Sequence, residues 1–578
     1  MIWNSIIWFT LIPSIFASSI VQQSQQQQNP PQVQIQNGTI SGKYLESFNQ
    51  DAYLGIPFAE PPINELRFQP PKSFQTNWNG TKNFTEYGYA CFAQAGTDSQ
   101  RLSQSEDCLT LNIVKPHGEF NDSLPVAIWI HGGGFTDGSG SRPSYNTSWI
   151  VQNSIEIGKP IIAITINYRL GGFGFLSSNQ NTLQKWTNVG LRDQIQAIKW
   201  VHENIEGFGG NPNHIVLWGE SAGSTSIGRL LTNDKLLGSY IKGGIMESGP
   251  SVFTNYEIGQ TKTNQQDFQK LLEYFHCDES ENYLECLQQV DGDELHKVFN
   301  VTNGILKKGF GYAYIDGDIV QGSAYDILES GEGFLKVPIL IGTNTDEGTG
   351  FINQTLNTTE EVKGFLQSRF PNLGSKSADN LIDLYFNGND TELSAPLDPT
   401  YNSTPIVYPE GFGKAYPKLS TLWGDVKYIA GSKFTAEFYS NQKIPVYKYR
   451  FNIPIAETID QLYLGTAHYD EVVYVFDNQD PPTHRADGTT IFPHEQSSKV
   501  ANAMSKLWIS FIHDLDPNIE NGDHKDSGVL EIDVPNWPVY KDGGEQIVFD
   551  LNGVYIEEDT QRTEQFEYIR KIIHQLDG

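Results

Sequence analysis

The amino-acid sequence predicts an α/β fold with a doubly wound, mostly parallel central sheet and helical insertions. Two continuous apolar runs, residues 126–130 and 161–166, are too short for helices and are typical of strands buried on both faces. Residues 193–204 carry apolar side chains at helical spacing, which predicts a helix with one buried face. Because parallel neighbours need a crossover connection, strands that alternate with helices favour a parallel sheet.

The other elements follow along the chain. Alternating apolar residues predict an N-terminal hairpin at 33–44, and residues 52–62 are interpreted as a proline-rich connection. The pattern becomes helical and irregular at 255–330 and 350–440, which predicts insertions that wall a pocket beside the sheet. Further strands are predicted at short apolar runs: 215–218, 245–246, 337–341 and 446–451.

Composition narrows the possible partners. The chain has 578 residues, of which 38% are hydrophobic and 12% aromatic, and this is enough for a large core. Its formal net charge is −30. Such a charge argues against nucleic acid as a partner and against anionic membrane surfaces, since both would repel the protein.

The N-terminal residues differ in composition from the rest. Residues 1–19 contain an apolar run and then small residues, which predicts a signal peptide cleaved after Ala17 or Ser19; a buried N-terminal strand is the alternative. Residues 20–32 are Gln-rich and predict a flexible leader before a single domain at 33–578. No second apolar stretch has spanning length, so we expect a secreted protein or one in the lumen of secretory or endolysosomal vesicles.

The cysteines and the glycosylation sequons are consistent with passage through the secretory pathway. The four cysteines form two close pairs, Cys91 with Cys108 and Cys277 with Cys286, and local pairing is the simplest of three connectivities. Neither pair has zinc-ligand spacing, so no metal site is expected. Ten Asn-x-Ser/Thr sequons predict N-linked glycans: Asn37, Asn79, Asn83, Asn121, Asn146, Asn300, Asn353, Asn357, Asn389 and Asn402.

A nucleophile elbow is predicted at residues 208–231. The apolar run 215–218 leads into a Gly-x-Ser-x-Gly motif at 219–223, and a helical segment follows. Glycine and serine are also common in ordinary turns, so the motif alone is weak evidence. With a strand before it and a helix after it, the turn lifts the hydroxyl of Ser221 clear and directs free helix amides at the same place. Ser221 is therefore the candidate nucleophile.

Acyl transfer at a serine needs amide donors that stabilise the oxyanion. A run of three glycines, residues 132–134, comes directly after the strand predicted at 126–130. Without side chains, its amides can approach a ligand closely; an ordinary flexible turn is the alternative. We expect Gly133 and Gly134 to be donors, with the amide of Ala222 as the third.

The nucleophile also needs a base, oriented by a carboxylate, and in this fold class the acid precedes the histidine along the chain. The strand predicted at 337–341 leads to Asp346 and Glu347, and the residues alone leave both open as the acid.

Among the later histidines, the candidate base is His468, because it lies in a loop after the strand predicted at 446–451. His484 and His494 fall instead among Pro, Asp, Arg and Gly residues typical of an exposed loop.

Together these segments resemble the type-B carboxylesterases, the family that includes cholinesterases and bile-salt lipases. The resemblance spans nearly the whole mature chain and implies an α/β-hydrolase fold and ester hydrolysis without a metal or cofactor. The matching motifs are EDCLTLNI at 106–113, HGGGF at 131–135, NYRLG at 167–171, FGGNP at 208–212, GESAG at 219–223, GTNTDEG at 342–348, GTAH at 465–468, DPN at 516–518 and WP at 537–538.

The resemblance implies roles for individual residues. It selects Glu347 as the carboxylate of the triad, leaves Asp346 as a neighbour and supports His468 as the base. Glu220 is expected to add negative potential near that histidine. It also implies two disulfides, Cys91–Cys108 and Cys277–Cys286, and two structural ion pairs, Arg67–Glu106 and Arg169–Asp193.

Two departures from the family concern the substrate. The loop between Cys91 and Cys108 contains Phe92 but no tryptophan. Cholinesterases carry there a tryptophan that holds a quaternary ammonium by cation–π attraction, so choline esters are not the expected natural substrate. Residues 250–253 also lack a matching tryptophan, and the acyl pocket is therefore not predictable from relatives.

The sequence thus predicts a serine carboxylesterase for small-molecule esters, acting through an acyl-enzyme with Ser221, His468 and Glu347. A lipase for longer acyl chains is the alternative among enzymes. A storage or adhesion protein on the same scaffold is the alternative of another class. The retained triad and oxyanion glycines argue against a purely structural role.

Overall fold

The computed structural model describes residues 30–94, 102–121, 123–178, 186–252, 262–307, 309–387, 408–454, 463–479, 495–519, 529–541 and 544–576. The predicted signal peptide, most of the leader, the sequons Asn389 and Asn402, and His484 and His494 lie outside the described residues.

An eleven-stranded sheet runs through the described part of the chain. Seven strands at its centre are parallel, and antiparallel strands complete both edges, so the predicted mostly parallel sheet is confirmed. In spatial order the strands are Gly553–Glu558, Glu545–Asp550, Val446–Asn452, Ile339–Asn344, Ile241–Glu247, Gly210–Glu220, Leu124–Ile130, Ile162–Ile166, Thr110–Pro116, Gln50–Pro57 and Lys43–Leu45.

Two smaller sheets lie near the N-terminus of the described chain. The predicted hairpin is present as Gln32–Ile35 and Gly38–Ser41, and Thr81–Asn83 pairs with its second strand. Ala90–Cys91 pairs with Gln104–Ser105.

The hydrophobic core lies on both faces of the central sheet because alternate residues of each strand point to opposite sides. In the strand Leu124–Ile130, Ile128 packs in one buried cluster and Trp129 in the other. Trp129 meets Trp218 of the next strand, with ring centroids 4.6 Å apart. Burial on both faces explains why these strands have continuous apolar sequences.

Helices cover both faces, and the segments predicted to be helical insertions do contain helices. The predicted helix at 193–204 begins slightly earlier, at Val189. The helices are Ser148–Glu156, Gly171–Phe175, Val189–Asn204, Ala222–Leu231, Lys262–Tyr274, Tyr283–Gln288, Gly292–Phe299, Ala324–Ser330, Thr359–Arg369, Ser375–Phe386, Tyr416–Gly424, Ala430–Asn441, Val472–Phe476, Glu495–Asp514, Thr563–Lys571 and Ile573–Leu576, with a π turn at Asp425–Ile429 and 3₁₀ turns at Asn64–Leu66, Pro143–Tyr145, Ile205–Phe208 and Val301–Asn303.

One prediction was wrong. Residues 52–62 are not only a proline-rich connection, because Gln50–Pro57 is a strand of the large sheet paired with Thr110–Pro116. Ala52, Tyr53 and Ile56 are buried in it. Proline is tolerated because Pro57 is the last residue of the strand, where a missing amide interrupts little of the ladder.

Covalent and ionic contacts fix the surrounding loops. Both expected disulfides, Cys91–Cys108 and Cys277–Cys286, are present. Both expected ion pairs are present and bidentate: Arg67 with Glu106 and Arg169 with Asp193. Among the helices that the structure describes, none combines the length and apolar character needed to cross a bilayer.

Candidate active site

Ser221 lies at a sharp turn between the strand Gly210–Glu220 and the helix Ala222–Leu231. Its backbone has φ +54° and ψ −119°, a conformation that residues other than glycine rarely adopt. Two hydrogen bonds hold it there: the amide of Ser221 donates to the carbonyl of Glu247 at 2.9 Å, and the amide of Thr225 donates to the carbonyl of Ser221 at 2.8 Å. The turn therefore has the strained geometry of a nucleophile elbow.

The glycines of the motif let this turn pack tightly against the end of the neighbouring strand. A Cβ atom at Gly219 would lie 2.6 Å from the carbonyl oxygen of Ile130, and one at Gly223 would lie 1.8 Å from it. Either would collide. Glycine at both positions is thus required by close approach of two backbones.

The loop with the three glycines lies beside Ser221. A Cβ atom at Gly132 would lie 3.0 Å from the Cβ of Ser221. Gly133 and Gly134 have φ of +94° and +61°, in the region that favours glycine, and their amides donate to no protein acceptor among the described residues. The amide of Ala222 is the first of the helix that follows, so it has no partner within its own helix. The expected oxyanion donors are therefore grouped around the hydroxyl-bearing turn.

Glu347 and His468 are brought together across the carboxyl end of the sheet. Nδ1 of His468 lies 2.5 Å from Oε2 of Glu347, which is fully buried. Asp346 is directed elsewhere, since its Oδ2 accepts from the amide of Thr466 at 2.9 Å. The geometry places Glu347, not Asp346, against the histidine.

A second buried carboxyl group, Glu471, is linked to Glu347 through Ser248. The hydroxyl of Ser248 lies 2.6 Å from Oε1 of Glu347 and 2.9 Å from Oε1 of Glu471. Asn344 contacts both carboxyl groups: its backbone amide donates to Glu347 at 2.7 Å, and its side-chain Nδ2 donates to Glu471 at 2.6 Å. Burial, together with the charge of Glu347, raises the pKa of Glu471 to about 7.

The hydroxyl of Ser248 carries one proton and can donate to only one carboxylate at a time. Both contacts become hydrogen bonds when Glu471 is protonated and donates to Ser248, which in turn donates to Glu347. In that protonation state, a chain of hydrogen bonds runs from Glu471 through Ser248 to Glu347 and His468.

Glu220 adds a third buried carboxyl group at the other side of the imidazole. Its Oε1 lies 3.2 Å from Nε2 of His468. Neither carboxyl oxygen of Glu220 nor Nε2 of His468 has a hydrogen-bond partner among the described residues. Burial raises the pKa of Glu220 well above its ordinary value, and the nearby charges of Glu471 and Glu347 raise it further.

Glu247, at the end of the strand before Ser248, is also buried. It accepts hydrogen bonds from the indole nitrogens of Trp218 at 2.7 Å and Trp508 at 2.6 Å. Burial again raises its pKa well above the ordinary value. Four buried carboxyl groups, including Glu347, therefore lie in the interior near this end of the sheet.

The sequence analysis assigned no role to three residues of this arrangement: Ser248, Glu471 and Asn344, of which Asn344 lies within the motif at 342–348. Their positions supplied a signal: Ser248 follows the strand next to the elbow strand, Asn344 ends the strand after that one, and Glu471 is three residues from His468. Within the described residues, no three His, Cys, Asp or Glu side chains are grouped in a way that would hold a metal ion.

Comparison with known proteins identifies the family of the chain. Residues 29–565 match the model of the carboxylesterase family. The chain is 31% identical to Lipase 5 of Diutina rugosa, over 84% of this chain and 87% of the relative. It is 29% identical to Carboxylesterase 5A of Mus musculus, over 96% of this chain and 89% of that relative. The crystal structure of Aspergillus niger EstA is similar with a TM-score of 0.78 and 25% identity, over 95% of this chain and 99% of that chain.

The family match covers most of the sequence, and the similarity in structure extends across nearly all of both chains. The chain therefore belongs to the carboxylesterase family, has an α/β-hydrolase fold and is a carboxylic ester hydrolase.

Proposed function

We propose that the protein is a serine carboxylesterase that hydrolyses small-molecule esters through an acyl-enzyme. Ser221 is the nucleophile, His468 the general base and Glu347 the carboxylate that orients it. The observation that carries the proposal is the 2.5 Å contact between Glu347 and His468 at the end of the sheet where the strained turn presents Ser221.

In the first half of the reaction, His468 Nε2 takes the proton of Ser221 as the hydroxyl oxygen bonds to the ester carbonyl. Glu347 holds the imidazole through Nδ1 and stabilises its positive charge. The amides of Gly133, Gly134 and Ala222 donate to the oxyanion. The C–O bond then breaks, and His468 returns the proton to the leaving alcohol.

In the second half, water attacks the acyl carbon with His468 again as base. The bond to Ser221 Oγ breaks, Oγ regains its proton and the carboxylic acid leaves. The chemistry calls for neither metal nor cofactor, because every proton is carried by His468 and the oxyanion is stabilised by amides.

The test is hydrolysis of p-nitrophenyl esters of increasing acyl length by wild type, Ser221→Ala and a matched control, Ser154→Ala. Ser154 is a buried serine whose hydroxyl donates to the carbonyl of Val151. Ser221→Ala should lose activity by about 10³-fold or more, whereas the control should keep it. An inactive wild type, or a Ser221→Ala variant as active as the control, would sink the assignment.

A lipase that acts on longer acyl chains is the second candidate, favoured by the similarity to Lipase 5 of Diutina rugosa. The acyl-length profile separates the two. A maximum at short chains supports the esterase, and activity that rises with long-chain emulsions supports the lipase.

We propose as well that the protein enters the secretory pathway and is secreted or kept in vesicles. The support is the apolar N-terminal segment, the pairing of all four cysteines in disulfides and the sequons. Exposed sequons such as Asn79 and Asn353 should carry glycans, whereas Asn37 should not, since it is buried and its Nδ2 donates to the carbonyl of Phe74. Glycopeptide mass spectrometry measures this pattern. Glycans on Asn37 and none on Asn79 and Asn353 would contradict the reasoning.

A further inference from the structure

A π turn interrupts the long helical segment beside the site. It comprises Asp425–Ile429, between the helices Tyr416–Gly424 and Ala430–Asn441. The amide of Ala430 donates to the carbonyl of Asp425, five residues earlier. Such a turn adds one residue to the helical repeat and changes which side chains share a face; π turns recur at functional sites.

The outer side of this turn is fixed by a buried ionic contact. Both carboxylate oxygens of Asp425 accept from Arg562, at 2.7 and 2.9 Å. The hydroxyl of Tyr385 donates to the same group at 2.7 Å. The π turn is therefore held by side chains from two other helical regions.

Gly424, the residue immediately before the turn, contacts the loop that carries Glu347. A Cβ atom at Gly424 would lie 3.0 Å from the amide nitrogen of Gly348 and 3.3 Å from the Cβ of Glu347. The two backbones thus pack directly against each other. A rigid turn on one side of this contact limits movement of the carboxylate on the other.

Tyr428, on the same turn, places its ring against the imidazole. The centroids of Tyr428 and His468 are 4.5 Å apart with the planes tilted by 34°. Phe351 approaches the imidazole edge-on at 5.1 Å. Tyr428 is 7% exposed, whereas Phe351 is 43% exposed, so only Tyr428 is a fixed contact.

A hydrogen bond at Nδ1 fixes one atom of the imidazole but leaves the ring free to tilt about that atom. We propose that Tyr428, presented by the π turn, is a positioning residue that keeps Nε2 of His468 directed at Ser221. The proposal rests on the proposed function, in which His468 carries protons to and from Ser221. The same ring face attracts the imidazolium that forms during the reaction.

The test compares Tyr428→Leu, Tyr428→Phe and Tyr439→Leu on a short-chain p-nitrophenyl ester. Tyr439 is a matched control, because it is also buried, lies on the helix after the π turn and packs against Phe334. Rates are expressed per active site, titrated with a covalent serine-directed probe, so that loss of folded protein does not count as loss of activity.

Tyr428→Leu should lower kcat by roughly 10- to 100-fold with KM within about threefold, because misorientation of a catalytic group slows chemistry more than binding. Tyr428→Phe keeps the ring and should stay within about threefold of wild type. Tyr439→Leu should keep kcat.

Wild-type kcat in Tyr428→Leu would overturn the inference, as would an equal loss of kcat in Tyr428→Phe or in Tyr439→Leu. Failure of the proposed function has a different signature, namely activity that survives in Ser221→Ala.

Discussion

Replacing Glu471 by glutamine should remove a pH-dependent loss of stability from the folded protein. Glutamine has the shape of a protonated glutamic acid. Its amide can donate to Ser248 and accept from Nδ2 of Asn344, and these are the contacts that Glu471 makes. The substitution therefore fixes the neutral state at every pH.

The magnitude follows from the pKa of Glu471, which rises from 4.5 to about 7 on folding. The unfolded chain releases this proton near pH 4.5 and the folded protein near pH 7. The stabilising contribution is thus fully present below pH 4.5 and is lost as the pH rises towards 7. At roughly 1.4 kcal/mol per pKa unit, the loss is about 3 kcal/mol.

Differential scanning calorimetry at pH 5 and pH 8 measures this effect. Unfolding entropy of roughly 2.1 cal/mol/K per residue over 578 residues is about 1.2 kcal/mol/K, so the full loss of about 3 kcal/mol corresponds to a Tm shift of about 2.5 °C. Part of the contribution is already lost at pH 5, so the Tm of Glu471→Gln relative to wild type should rise by about 2 °C between pH 5 and pH 8. Glu332→Gln changes the same charge at an exposed position and should show no such trend. A Tm difference that does not vary with pH would refute a shared proton on Glu471.

Two further substitutions probe the immediate surroundings of the proposed triad. Gly132→Ala places a Cβ atom 2.5 Å from Oε2 of Glu220 and should lower kcat/KM by about 100-fold. The control is Gly350→Ala, whose Cβ atom meets no other atom within 4 Å, and it should keep kcat/KM. Equal activity of the two variants would contradict a close contact at residue 132. Ser248→Ala removes a buried donor to Glu347, worth roughly 1.5–3 kcal/mol for a charged acceptor, and should lower kcat by about 10-fold or more with little change in KM. Unchanged kcat in steady-state assays would show that this hydroxyl does not support the triad.

The sequence predicts the centre of the sheet better than its edges. Strands buried on both faces have continuous apolar sequences, so Leu124–Ile130 and Ile162–Ile166 were recognisable. Gln50–Pro57 was hidden by the prolines that follow it. Glu545–Asp550 has an apolar run too short for periodicity to separate a strand from a helix.

Within the site, residues in linear motifs were predictable and those joined by the fold were not. Ser221 is found from its neighbours along the chain, but the residues alone left Asp346 and Glu347 open. The family resemblance selects Glu347, and the packing shows that Glu347 contacts His468. Tyr428 has no sequence signal, because a π turn depends on the contacts that hold it.

The two edge strands of the sheet determine whether two molecules can associate through their sheets at high concentration. An exposed edge strand has unpaired backbone groups to which a second molecule can add a strand. One edge strand, Lys43–Leu45, has only three residues. The other, Gly553–Glu558, ends in Glu557, which is paired with Arg450, and Glu558, which is exposed. The chain as a whole has a net charge of −30, so two copies repel each other. A short edge strand on one side and the net negative charge thus both disfavour edge-to-edge pairing of two copies.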